Sequence, residues 1–419
     1  MRIACVYAPH IPLQALVRRR PELRRQAVAV VSGGPASTIV ACSRSAHILG
    51  VRVGMSALAA RQLSEELQLL TRDPSAELQL EAALVEALYG TSSRVEAEEL
   101  RRGGPSPAPR RLGAEGPAWQ GHGAIFAQVP TGMRGATFGN RVLEIAGSLD
   151  LSVRVGIADD RFTAWVAARH VGALEESPVV AIPRGGSAAF LAPQPLSLLD
   201  ISPEVQQMLA ALGVRTLGEF ARLPAPSVAR RWDVDLQALA RGEGGAELVP
   251  VPLVTLPLCE AVAVSEDFGL GVAVAALAER IALRLAGRGG VATAMEITSH
   301  GAHGAESATL WLVPPLQDAD ALADRIGRAL VAGPLQRISV TVTAADVTAQ
   351  DASAPVVPAD PMPVYDGPAE QPAAPIGMSG ALLRRAQDPA GGLLPHRRTR
   401  RGKQRRRVVS AQAKLFGGD

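Results

Sequence analysis

Lysine is almost missing from this 419-residue chain: only Lys403 and Lys414 occur, both close to the C-terminal end. The body therefore has no amine for a Schiff base. It also has no G-x-x-x-x-G-K-[ST] run, which excludes a Walker-type ATPase. Cysteine is scarce as well. Cys5, Cys42 and Cys259 lie far apart and form no C-x-x-C pair, which argues against a disulfide framework or a zinc site and fits a reducing cytoplasm. No run of 18 apolar residues is present, so no transmembrane helix is expected. The opening MRIACVYAPHIPLQ lacks the basic-then-apolar pattern of a signal peptide. Acids are missing from a long N-terminal stretch: none precedes Glu22, and none lies between Glu22 and Glu65.

What the chain does have is apolar content, 47% of residues, enough for two to four domains with real cores. Its net charge of +3 is unevenly placed. The run HRRTRRGKQRRR (396–407) holds Arg397, Arg398, Arg400, Arg401, Lys403, Arg405, Arg406 and Arg407 and no acid. Without it, 35 basic residues face 40 acidic ones, a net charge of −5. So dense a run points to contact with nucleic acid or another polyanion; a solubilising tail is the plainer alternative.

Periodicity places strands at 2–8, 26–33, 123–129 and 152–158. It places helices at 12–20, 55–67, 76–90, 137–148 and 161–170, with a strand and short helix in 39–55 ending at Gly50. Strands alternating with helices predict an α/β sheet domain. RRGGPSPAPRRLGAEGPAWQG (101–121) reads as a mobile loop. PEVQQMLAALGVRTLGEFARLP (203–224) reads as two helices joined at Leu212-Gly213-Val214, with Thr216 and Glu219 as a capping box. Such a turn predicts a phosphate seat at Gly213, Val214, Arg215 and Thr216, or else a plain αα-hairpin. Residues 257–346 read as β-α-β-β-α-β, the split, ferredoxin-like arrangement of an α+β domain. Residues 350–395, rich in Ala, Pro, Asp and Gly, read as a linker.

Three segments in this order resemble the Y-family translesion DNA polymerases. IVACSRSAHILGVRVGMSALAARQL (39–63) is similar to the family's fingers, SVRVGIADDRFTAWVAARH (152–170) to its palm strand and helix, and LGVRTLGEFARLP (212–224) with LARGEG (239–244) to its thumb. The resemblance covers about residues 1–346. It implies a right hand of α/β and α+β parts: palm and fingers over 1–190, with the fingers about 33–75; a helix-hairpin-helix thumb over 191–250; a little finger over 251–349; and a disordered tail over 350–419.

The family's polymerases hold two metal ions on carboxylates, one set at the end of the first strand and a D-E pair opening the strand before G-I-A. Here Tyr7 and Pro9 stand at the first positions, and HGAIFAQVPTG (122–132) contains no acid. Glu96, Glu98 and Glu99 lie upstream and are expected at a solvated helix end or loop face. Arg44 and His47 fall where the family grips a triphosphate, and Arg161 where it often has a lysine; surface charge is the simpler account of each. A carboxylate-free body of this kind resembles the ImuB-type proteins. That implies an adaptor in damage-induced (SOS) mutagenesis, without catalytic residues or a cofactor, linking a sliding clamp, a RecA-like accessory protein and an error-prone replicative-type polymerase on DNA. Gln412-Ala413-Lys414-Leu415-Phe416 resembles a bacterial clamp-binding peptide, with Gln412, Leu415 and Phe416 as its contacts. The alternatives are an active translesion polymerase with displaced ligands, and a structural DNA-binding protein that uses only the hairpin and basic run.

Overall fold

A computed structural model of the chain describes residues 1–347 apart from 35–36, 98–99, 101–123, 172–177, 200, 225–235, 246, 252, 254–256, 265–268, 302–303 and 331–334. The expected loop, the linker, the basic run and the Gln412–Phe416 peptide all lie outside these residues. The described residues belong to one compact unit.

The apolar run after Met1 forms β1 (Ile3–Tyr7), the middle strand of a five-stranded sheet. The chain continues through α1 (Ile11–Arg19), β2 (Val28–Val31), β3 (Ile39–Cys42), α2 (Arg44–Ile48), α3 (Ala57–Arg61), β4 (Gln68–Thr71) and α4 (Pro74–Tyr89). It then forms β5 (Val95–Ala97), β6 (Ala124–Gln128), α5 (Gly135–Ser148), β7 (Arg154–Ala158), α6 (Arg161–Val166) and β8 (Val179–Ala181). Serine and aspartate hydroxyl or carboxylate caps start the helices as their side chains favour: Ser43 caps α2, Ser56 caps α3 and Asp73 caps α4, the last with Pro74 in its first turn.

The large sheet runs β5-β6-β1-β7-β8. β1 is antiparallel to β6 and β7, and β7 is parallel to β8. Side chains alternate across β1. Ala4 and Val6 pack with Leu84, Phe138 and Val142 on the α4–α5 side; Ile3 and Cys5 pack with Phe126, Phe162 and Trp165 on the other. Gly156 of β7 lets the second face close, since a Cβ there would lie 2.0 Å from the Ala164 carbonyl oxygen. A smaller sheet, β3-β2-β4, has its own core around Ala29, Ile39, Val51 and Ala60.

Next come α7 (Ser187–Leu191), α8 (Pro203–Ala211), α9 (Leu217–Ala221) and α10 (Leu236–Arg241). The predicted hairpin is α8–α9, with Gly213 at φ +86° and the Thr216–Glu219 capping box complete. The last sheet is built from β9 (Leu258–Ala263), α11 (Leu270–Gly287), β10 (Gly290–Gly301), β11 (Gly304–Leu316), α12 (Ala319–Ala329) and β12 (Leu335–Val347). The expected β-α-β-β-α-β order is present. Its strands lie in the order β11-β10-β12-β9, each neighbouring pair antiparallel. The helix expected over 55–67 ends at Arg61, and the chain turns into β4, whose exposed edge gives no alternating signal.

α11 crosses α4 so closely that a Cβ at Gly287 would sit 1.6 Å from the Glu86 carbonyl oxygen. Beside this contact the Glu86 carboxylate accepts from Arg284 at 2.6 Å and Arg288 at 2.7 Å, and Glu260 accepts from Arg284 at 2.8 Å and from Arg18 of α1. Backbone contact and a buried ion network thus join the last sheet to the first. Glu86→Ala withdraws a carboxylate from buried Arg284 and should destabilise by about 3 kcal/mol. Gly287→Ala forces the helices apart and should cost about 1–3 kcal/mol. Urea midpoints at unchanged m-value measure both.

Candidate functional site

The face of the large sheet that carries Ile3, Cys5 and Tyr7 is the one where the resemblance implies metal-binding carboxylates. The C-terminal end of β1 brings Tyr7 opposite Ala124 of β6 and Arg154 of β7. Tyr7 is half-buried and Pro9 follows just beyond the strand. The Arg169 guanidinium lies 5.8 Å from the Tyr7 ring centroid and 5.1 Å from that of Trp165, within cation–π range of both. A cation held by two aromatic rings therefore covers the position. Cys5, one step inward, is buried, and desolvation drives its thiol upward against the opposing charges of Arg161 and Arg169.

A buried carboxylate stands on this face, and it does not match the expected solvated acid. Glu96 is buried on β5, in register with Phe126 of β6, which is itself in register with Cys5. It forms an ion pair with Arg161 and accepts the Val249 N–H at 2.7 Å. Arg161 also stacks over Phe126, its guanidinium 4.9 Å from the ring centroid. The surface-charge account of Arg161 is thus corrected as well: it is a structural tie. Glu96 was missed because a three-residue strand beside the 101–121 insertion carries no periodicity. Glu98 and Glu99 lie outside the described residues. Arg44 and His47 are exposed, as surface charges would be.

Asp159 and Asp160 end β7, but β7 is antiparallel to β1, so they sit at the Ile3 end of the sheet, away from Tyr7. Asp159 accepts the Gly185 N–H at 2.7 Å, and Asp160 caps α6 through the Thr163 N–H at 2.8 Å. Among the described residues no three His, Cys, Asp or Glu side chains are placed to hold a metal ion. A hard divalent cation needs several oxygen ligands, and the residues around Tyr7 do not fit one. The local charge is positive instead. Burial, then the charges of Arg154 and His47, hold the His10 imidazole below its ordinary value.

The hairpin departs from the expected phosphate seat. The Arg215 and Thr216 N–H groups donate to the Glu219 carboxylate at 2.7 and 3.0 Å, and those of Gly213 and Val214 donate to Ala210 and Leu209 at 3.0 and 2.9 Å. Val214 is buried. The four amides are therefore already bonded, and an acidic side chain sits where a phosphate was expected. The capping box that marks the turn is what fills it. Of these four residues, Arg215 keeps an exposed side chain that can meet an anion.

Burial lifts the Asp160 carboxyl above its ordinary value despite its bonds to Thr163. A raised folded-state value favours the protonated fold, so this group adds stability at low pH and loses it as pH rises from about 4 through the folded value. Asp160→Asn keeps a side-chain oxygen for the cap and removes that charge. Relative to wild type, the variant should gain stability between pH 4 and 7, read from urea midpoints at each pH. A difference independent of pH would contradict this.

The sequence comparisons with known proteins concern the N-terminal part. Residues 6–101 match the impB/mucB/samB family. The DNA polymerase IV of Dehalococcoides mccartyi (strain CBDB1) is 27% identical over 110 residues, 26% of this chain and 27% of that one. The chain therefore matches about a quarter of the length of this curated relative. Among solved structures, DinB from Sulfolobus solfataricus aligns with 82% of this chain and 98% of that chain at 14% identity and a TM-score of 0.45. An insertion ternary complex of Dbh DNA polymerase does so over the same shares at 13% identity and a TM-score of 0.46. The segment over 6–101, which includes the end of β1 with Tyr7, is thus similar to the impB/mucB/samB family.

Proposed function

We propose that this chain is a non-catalytic, Y-family-polymerase-like adaptor in DNA repair and damage-induced translesion synthesis. In this reading it holds DNA and links a sliding clamp, a RecA-like accessory protein and an error-prone replicative-type polymerase. The observation that carries it is the floor at Tyr7. Nucleotidyl transfer needs two metal ions clamped by carboxylates; here that floor carries Tyr7 under Arg169, and the buried acid Glu96 on the same face is bound to Arg161. A positive floor attracts phosphate and repels Mg²⁺.

Two further features support recruitment over catalysis. Ile48, Val53 and Leu58 of the α2–α3 region are 77%, 56% and 71% exposed, and apolar side chains gathered on a surface favour a protein partner. The basic run and the Gln412-Ala413-Lys414-Leu415-Phe416 peptide follow an Ala/Pro-rich stretch, a composition suited to a tether that raises effective concentration. The Arg397–Arg407 charges would supply sequence-independent contact with DNA phosphates.

Primer extension tests the reading. The purified chain should extend a primed template no faster than a protein-free control with Mg²⁺ or Mn²⁺. Tyr7→Asp should not restore extension, because the D-E positions are also empty. Extension abolished by changes on the Tyr7 face would favour the active-polymerase alternative. Clamp binding is a separate test. Leu415→Ala with Phe416→Ala should weaken affinity for a bacterial sliding clamp by about 3 kcal/mol, roughly a hundredfold, and Gln412→Ala by about 1 kcal/mol. Equal calorimetric affinities for wild type and double variant would remove this peptide as the clamp ligand.

A further inference from the structure

Where α1 and α4 meet the edge strand β9 and α11, there is a cleft of about 280 Å³. Arg18, Arg19, Arg284 and Arg337 line it, and Glu260 is the one acid among its lining residues. The surrounding seam keeps this excess. Arg19 pairs with Asp73, Arg18 and Arg284 share Glu260, and Arg284 and Arg288 share Glu86. Arg337 is exposed and has no ion-pair partner among the described residues. Arg280, buried one helical turn before Arg284, donates to the Ser148 and Ala261 carbonyls at 3.2 and 3.4 Å, with Glu260 and Asp150 acting on it only through space. The Arg18 Nε is buried without a hydrogen-bond partner among the described residues. In the cleft lining, four guanidinium groups thus face one carboxylate, in a body that is net acidic without its basic run.

Such a seam is short of negative charge. Burial first, then the repulsion of Arg18, hold the Arg280 guanidinium below its ordinary value. Buried charge is stable only when countered, and the walls of a cleft focus the uncompensated field into it. Guanidinium forks match the oxygens of a phosphate, bidentately and without needing a metal.

We propose that this cleft binds a phosphate-bearing anion, either a free nucleotide or the phosphodiester backbone of nucleic acid. The site is separate from the Tyr7 face and does not depend on whether the chain is an adaptor.

The cleft contains its own reporter. Cys259 lines it and is exposed, whereas Cys5 and Cys42 are buried. A neutral thiol reagent, N-ethylmaleimide, should alkylate Cys259 of the full chain, followed by peptide mass spectrometry. Inorganic pyrophosphate, a nucleoside triphosphate or a short DNA duplex should slow that step saturably, by about tenfold when the thiol is covered. Sodium chloride at equal ionic strength should not. Arg337→Gln with Arg19→Gln changes only outward-facing groups of the cleft and should raise the protecting concentration about tenfold. Protection by the duplex alone identifies nucleic-acid backbone as the source. Protection by pyrophosphate and triphosphate alone identifies a free nucleotide. Alkylation unchanged by all three probes, or protection identical in the double variant, overturns the proposal.

Discussion

Arg161 and Glu96 meet on the face of the large sheet that also carries Cys5 and Tyr7, and several elements are fixed through them. Glu96 stands on β5, Arg161 opens α6 and covers Phe126 of β6, and the chain near Val249 is tied in through the second carboxylate oxygen. The Arg161 N–H adds a bond to the Gly245 carbonyl at 3.2 Å. Removing one partner of a buried pair strands the other charge at a cost of about 3–5 kcal/mol. The pair is therefore held in place by the packing around it, and so is its chemical consequence. A carboxylate engaged with a guanidinium and an amide has few lone pairs left for a divalent ion. The same geometry that closes this face ties Glu96 to a guanidinium and an amide.

Closure depends equally on a missing side chain. Gly156 lets the backbone of α6 approach β7 within a distance no Cβ allows. That approach seats Phe162 and Trp165 over Ile3 and Cys5, and it brings Arg169 above Tyr7. Gly287 does the same at the other seam, where α11 rests on α4. At both places backbone meets backbone, and arginines settle around the contact because long apolar stems with a charged fork can fill a crowded joint and still reach an acceptor. In the first seam Glu96 answers Arg161 while Arg169 lies over aromatic rings; in the second Arg18, Arg284 and Arg288 share Glu260 and Glu86.

Much of the architecture was legible in the sequence, for physical reasons. β1 and β7 are buried on both sides and read as continuous apolar runs, and α4, α5 and α11 are long enough to show a helical period. Thr216 and Glu219 announced the hairpin because a capping box needs those residue types at that spacing. β4, β5 and β8 were not legible. Each is three or four residues long and is defined by its partner strand, with too few positions for a period to appear. The site followed the same rule. The absence of acid around Tyr7 needs no coordinates to see. The roles of Glu96 and Arg161 do, since 65 residues separate them in sequence and only sheet register brings them together.

The hairpin shows how a correct local reading can misplace function. A capping box and a phosphate seat draw on the same orphan N–H groups at the start of a helix. Glu219 bonds the Arg215 and Thr216 amides, and those bonds hold its own carboxyl below the ordinary range. A carboxylate so favoured stays charged at neutral pH, so an incoming phosphate meets both occupied donors and a like charge. Identifying the box from Thr216 and Glu219 was therefore already an argument against the seat. Positive charge that can meet a polyanion lies instead on side chains, among them Arg215 beside the box, Arg169 over Tyr7, and the arginines between α1 and α11.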